Sequence, residues 1–110
     1  MLYNLPPAVA SLIETSNARD LDGFVACFAA DAVVEDEGHT HTGTDEVREW
    51  KQETESRYSY TIDPTELDQR DGETILTATL AGNFPGSPVD LTYEFTIGAD
   101  DAIDALRIHP

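Results

Sequence analysis

From Tyr58 onward the hydrophobic period of this chain becomes strict alternation, which makes the C-terminal half a run of strands after a mostly helical N-terminal half. Pro6–Pro7 suit a helix's first turn, and Val9, Leu12, Ile13 and Ser16 then fall at helical spacing, which predicts a helix to about Asn17. Asp20 is placed to cap a second helix whose Leu21, Phe24, Val25 and Phe28 occupy i, i+3, i+4 and i+7. These two helices are expected to pack as a pair. Ala32–Val33–Val34–Glu35–Asp36 reads as a short strand, Glu37–Gly38 as a turn, and His39–Thr40–His41–Thr42 as the returning strand. Gly43 breaks the chain, and Thr44 is placed to cap a third helix running to about Arg57. Asp45 and Glu46 lie near its positive end, with Val47, Trp50 and Thr54 on one side.

Beyond Tyr58 the alternation predicts a meander of four strands, at about 59–69, 73–83, 88–97 and 102–108. Asp71–Gly72 is a hairpin signal, Pro85–Gly86–Ser87–Pro88 interrupts any central strand, and Gly98–Ala99–Asp100–Asp101 closes the last pair. Pro64 marks a bulge or an edge. Val89, Leu91, Tyr93, Phe95 and Ile97 alternate with Asp90, Thr92, Glu94 and Thr96, so one face of that strand points inward. The order is ααββαββββ. No linker or repeat divides the 110 residues, so one α+β domain over 1–110 is expected.

Twenty-two acidic residues against six basic ones give a net charge of −16, with Lys51 the only lysine. Such a surface repels phosphate backbones and anionic membranes, which argues against a nucleic-acid or membrane partner. The lone Cys27 cannot form an internal disulfide, so the fold does not depend on an oxidising compartment. Met1–Leu2–Tyr3–Asn4 has no basic n-region or apolar run after it, and the chain is read as soluble, unexported and cytoplasmic.

Motifs for nucleophilic, phosphate-binding or dinucleotide chemistry are missing from the sequence, leaving a cofactor-free pocket. Asp36 shares a strand face with Val34, so an apolar wall would raise its pKa and suit it to proton transfer; the alternative is a strand-end carboxylate bonding the turn amides of Glu37 and Gly38. Tyr93, between Leu91 and Phe95, is either a phenol donor to a ligand carbonyl or a core aromatic. Trp50, Tyr58 and Tyr60 carry the same ambiguity. His39 and His41 share a strand face but lack a third ligand for a metal; His41 could assist Asp36 as an acid. His109 falls where chain ends fray, and Cys27, with no nearby base, reads as a small buried hydrophobe.

The Leu21–Asp22–Gly23 helix start, the run Phe28–Ala29–Ala30–Asp31–Ala32–Val33–Val34–Glu35–Asp36 and Gly43–Thr44 opening the third helix resemble the nuclear-transport-factor-2-like superfamily. Within it, the likeness is to ketosteroid isomerases and SnoaL-like polyketide cyclases. Phe84–Pro85–Gly86–Ser87–Pro88 looks like a feature of a subfamily without assigned chemistry. The resemblance implies a conical barrel, a strongly bent mixed β-sheet wrapped around three helices, often as a homodimer, whose open end admits a small apolar or carbonyl-containing molecule. It puts Asp36 at the general-base position. The family's oxyanion tyrosine aligns with Leu12, which cannot donate a hydrogen bond, and its protonated aspartate aligns with Tyr93. A steroid isomerase needs those donors as well as a base, so steroid isomerisation is not expected.

Leu12 and Trp50 from the helices would then line the pocket, together with Phe28, Val34, Tyr58, Tyr60, Leu91 and Phe95 from the segments that fold against them. The expected function is a cofactor-independent isomerase or cyclase in which Asp36 removes a proton next to a carbonyl and Tyr93 or His41 polarises oxygen. The alternatives are a non-catalytic binding module and a dimeric assembly module. A cavity of roughly 300 Å³ or more favours a ligand, whereas a cone filled by its own side chains, Trp50 included, favours assembly.

Overall fold

In the computed structural model, which describes residues 5–110, Pro7 opens helix α1 (Pro7–Asn17), whose buried stripe is Val9, Leu12, Ile13 and Ser16. The first four residues, on which the reading of an unexported chain rests, lie outside the described part. Asp20 caps α2 (Leu21–Val25), its Oδ1 accepting from the Gly23 amide at 3.1 Å. This helix ends three residues earlier than its apolar spacing predicts. Phe28 instead begins strand β1 (Phe28–Asp36), which also starts before the expected Ala32, because Phe28 lies opposite Ile103 in the sheet and the Ile103 amide bonds the Cys27 carbonyl at 2.9 Å. Phe28 stays buried either way, so its position in the apolar pattern does not distinguish the two states.

β1 turns through Glu37 and Gly38 into β2 (His39–Thr42), and both turn residues have positive φ, 52° and 78°, the backbone of a two-residue hairpin. Helix α3 (Gly43–Arg57) starts one residue before the cap expected at Thr44: Thr42 is the N-cap, and the Glu46 carboxylate reaches back to its amide at 2.8 Å. Four strands follow, β3 (Tyr60–Arg70), β4 (Glu73–Gly82), β5 (Val89–Ile97) and β6 (Ile103–His109), so the element order is ααββαββββ as read from the sequence. The turn at Asp71–Gly72 repeats the paired positive φ values, 53° and 79°.

The six strands form one sheet in the order β2-β1-β6-β5-β4-β3. All neighbours are antiparallel except β1 and β6, so β6 joins the N-terminal hairpin to the meander and makes the sheet mixed. Helix α3 packs on β1 and β2, α1 packs on β3, and α2 lies against both helices. A helical layer that reaches from one edge region of the sheet to the other forces the sheet to curl around it. Register shifts after Phe28, at Pro64 and at Thr96 supply bends. The result is a cone left open, with β2 and β3 as edges, and its inner face carries Val34, Leu76, Ala78, Phe95 and Leu106.

On the β3 edge, Ile62 is paired by a side-chain amide. Asn17, at the end of α1, donates Nδ2–H to the Ile62 carbonyl at 3.0 Å and accepts the Ile62 amide at 2.7 Å, standing in for a neighbouring strand. Asn17→Ala should lower the unfolding free energy by about 1–2 kcal/mol, read by urea denaturation, because two backbone bonds are lost together. Among the described residues, no helix is long and apolar enough to cross a membrane.

Candidate functional site

Asp36 is the last residue of β1, and strand alternation places it on the same side as the fully buried Val34. Its Oδ2 accepts the indole Nε1–H of Trp50 at 3.1 Å. Burial pushes the Asp36 carboxyl above its ordinary range; the Trp50 hydrogen bond, the His41 charge and the Glu37 amide pull the other way, and Glu37's own charge adds to the rise. Both sequence readings of Asp36 therefore meet in one side chain: it lies by an apolar wall and it also sees the turn amide. Trp50→Phe removes the indole donor and should shift the Asp36 pKa further upward. NMR titration of the Asp36 carboxyl carbon in the two proteins measures that shift.

The structure gathers several of the other expected residues around this carboxylate. The His41 ring lies 5.8 Å from the Trp50 ring, centroid to centroid, and the Phe24 ring lies 6.1 Å from it. Tyr93 is buried, stacked on Phe95 with centroids 6.1 Å apart, and has no hydrogen-bond partner among the described residues. Its phenol is held well above the ordinary value, first by burial and then by the charges of Tyr60 and Asp36, so it stays protonated and able to donate. Leu12, Phe28, Val34 and Phe95 are packed into the core. Leu91 and Tyr60 are half-buried, and Tyr58 and Tyr60 both meet Phe84 edge-on at 6.2 and 6.3 Å. His39 is exposed, and no cluster of metal-binding side chains occurs among the described residues. His109 lies in β6 opposite Thr92, where contact with the Glu94 carboxylate raises its pKa. Cys27 is buried, and its thiol bonds the Gly23 carbonyl.

The residue missed by sequence reasoning is Lys51. Only 2% exposed, it lies on the buried face of α3 with Val47, while Trp50 and Thr54 flank that face half-buried. Its Nζ donates to Ser16 Oγ at 2.8 Å and to the Tyr60 hydroxyl at 2.7 Å. The same ammonium sits 4.7 Å above the Phe24 ring and 4.8 Å above that of Tyr60, with the nearest carboxylate oxygen, from Glu55, at 3.8 Å. Burial lowers its pKa to about 8 against the opposing pull of Glu55. Burial likewise raises Tyr60 to about 12, and Asp36 is near enough for its charge to add to that rise. The available signal was spacing: Lys51 is four residues after the core-facing Val47 and four before Glu55.

Among the described residues, hollows open to the surface beside each of two hairpin turns. One, of about 350 Å³, is bounded by Asp36 and the hairpin turn on one side and by Arg107, Ile108 and His109 on the other. The other, of about 400 Å³, lies by the Asp71–Gly72 turn, away from Asp36. Asp36 borders the first of these surface hollows but Trp50, His41 and Tyr93 do not, and the cone's inner face is occupied by its own side chains with Trp50 packed against them, the arrangement that favours assembly over an enclosed ligand.

The open curled sheet and its helical layer define a nuclear-transport-factor-2-like α+β fold. Residues 9–106 match the SnoaL-like domain family, and the chain belongs to that family. It is 38% identical to a Sinorhizobium meliloti protein provisionally described as a polyketide cyclase, with 96% of this chain and 95% of that one covered at a TM-score of 0.90. A Catenulispora acidiphila protein of ketosteroid isomerase-like fold, solved with trimethylamine, is 18% identical over 97% of this chain and 87% of its own, with a TM-score of 0.85. A Mycobacterium tuberculosis protein solved with estradiol-17β-hemisuccinate is 18% identical over 94% and 90%, with a TM-score of 0.79. No curated protein matches the sequence.

Proposed function

We propose that this protein binds a small, mostly apolar carbonyl compound and catalyses isomerisation or intramolecular cyclisation without a cofactor. The observation that carries this reading is Asp36, a half-buried carboxylate with a raised pKa, fixed by the Trp50 indole and bordering an open hollow. In the reaction, the Asp36 carboxylate takes a proton from the carbon next to the carbonyl; the C–H electron pair becomes a C=C bond and the carbonyl π pair moves onto oxygen, giving an enolate. Returning the proton to a different carbon gives an isomer; attack of the enolate carbon on a second carbonyl of the same molecule forms a ring as that C=O π bond breaks, and the resulting alkoxide takes the proton back from Asp36. A raised carboxylate pKa makes Asp36 a stronger base, and a neutral Tyr93 or a nearby His41 can polarise the oxygen. The S. meliloti relative's description is in keeping with cyclisation.

The test is turnover of a panel of enolisable ketones and diketones, followed by product analysis, for the wild type and Asp36→Asn. Full turnover by the variant would remove Asp36 as the base. A second reading, ligand binding without chemistry, is favoured by Leu12, which offers no donor and is packed in the core. Its signature is a compound that stabilises the protein and is recovered unchanged after prolonged incubation.

A further inference from the structure

The hollow of about 400 Å³ beside the Asp71–Gly72 turn plays no part in the chemistry given to Asp36. Pro6, the N-cap of α1, and Thr74, on the core-facing side of β4, both border it. Thr74 is only 5% exposed, and its hydroxyl has no hydrogen-bond partner among the described residues. Every fully enclosed side-chain oxygen or nitrogen among those residues does have a partner, so the Thr74 hydroxyl reaches open space, and the open space that Thr74 borders is this hollow. Helix α1 starts on Pro6 and Pro7, neither of which has an N–H, so its first free amides are those of Ala8 and Val9. They point back along the helix axis towards Pro6. No side chain caps them, and the first turn holds no acidic residue.

The buried side of the hollow therefore offers an unused hydroxyl at a positive helix end. Its rim has the opposite character: Asp71 and Glu73 are exposed there, and the charge of Arg70 beside them is already met by Asp68. Pro6 and Ile97, both half-buried, add apolar surface. A simple anion would meet the carboxylates of Asp71 and Glu73, and a simple cation would meet the helix end. A molecule carrying both charges close together suits both sides. We propose that this hollow binds a zwitterionic α-amino acid with an aliphatic side chain. Its carboxylate accepts the Thr74 O–H and faces the start of α1, its ammonium lies against Asp71 and Glu73, and its side chain covers Pro6 and Ile97. The volume falls in the range of small-molecule sites, roughly 300–1,000 Å³. This site is separate from the hollow at Asp36 and does not rest on the role given to that residue.

The experiment follows the backbone amide shifts of the whole protein by NMR at pH 7 as L-leucine, N-acetyl-L-leucine or L-leucinamide is added. Acetylation removes the positive charge and amidation the negative one, so each control lacks one end of the zwitterion. L-Leucine should move the amides of Ala8, Gly72 and Thr74 and bind at least about tenfold more tightly than either control. Thr74→Val, which keeps the shape of the side chain without the hydroxyl, should weaken L-leucine about tenfold and leave L-leucinamide within about twofold. Thr74→Ser keeps the hydroxyl and should stay within about threefold of the wild type for L-leucine. Glu73→Gln, at an exposed position, should weaken L-leucine but not N-acetyl-L-leucine. Equal affinity for the three probes, no shift at those amides with L-leucine, or a Thr74→Val protein that binds L-leucine normally overturns the site. Asp36→Asn should bind L-leucine as the wild type does, so a change in turnover in that variant bears on the base alone.

Discussion

Lys51→Met should be at least as stable as the wild type at pH 7, and the wild type should gain on it by about 2 kcal/mol as the pH is raised to 10. The sign follows from linkage. Burial lowers the folded-state pKa of Lys51 from 10.5 to about 8, so between those values the unfolded chain binds a proton that the native chain has released, and stability rises with pH. At pH 7 the lysine is charged in both states, and the fold carries the full cost of burying that charge, at about 1.4 kcal/mol per unit of lowering. Methionine removes the charge while keeping an unbranched stem against Phe24 and Tyr60, the kind of apolar replacement that is often neutral or stabilising at buried charges. Some of the gain is offset by losing the hydrogen bonds to Ser16 and Tyr60, each about 1 kcal/mol.

Lys51→Ala separates packing from charge at the same position. It also removes the ammonium but leaves a void between α1, α3 and β3, and should fall about 2–4 kcal/mol below Lys51→Met. Urea unfolding of the three proteins at pH 7, 8, 9 and 10 measures both effects. A wild type that loses stability relative to Lys51→Met as the pH rises would mean that the ammonium stabilises the fold. Retention of a lysine where methionine folds as well points to a use for its charge.

What could be read in the sequence was whatever local pattern decides. The change of period at Tyr58 separates helices from the meander, and Glu37–Gly38 and Asp71–Gly72 announce turns whose positive φ values the structure contains. The end of α2 was not legible, because Phe28 suits the buried face of a helix and of a strand equally, and pairing opposite Ile103, 75 positions further along the chain, decides between them. The strand order was equally hidden, since the insertion of β6 between β1 and β5 depends on distant pairing. Asp36 was visible through its strand neighbour Val34 and through the family likeness, but its indole donor was not, because Trp50 reaches it from another element. Lys51 escaped notice because a lone lysine on a charged helix reads as solvated, and only the tertiary partners Ser16 and Tyr60 make its burial intelligible.

Asp36→Asn should lower kcat/KM by about 10²- to 10⁴-fold on whatever carbonyl compound the wild type turns over, the usual contribution of a positioned general base. The substitution keeps an oxygen that can accept the Trp50 N–H, so the indole, and with it the His41 and Phe24 rings, need not move. Folding energetics give the second half of the expectation. Because burial raises the folded-state pKa of Asp36, the ionised form is disfavoured in the fold. The native chain takes up its proton at a higher pH than the unfolded chain, and Asp36 costs stability once the pH has passed above that range. The asparagine protein should therefore match or slightly exceed the wild type in unfolding free energy at pH 7, and the difference should shrink as the pH falls through the carboxylate range. A carboxylate kept only to bond the hairpin turn makes the opposite forecast: its loss would weaken the turn and leave turnover alone. Measuring kcat/KM together with urea unfolding at pH 7 and pH 4 distinguishes the two, because loss of activity without loss of stability is the mark of a group retained for chemistry at the fold's expense.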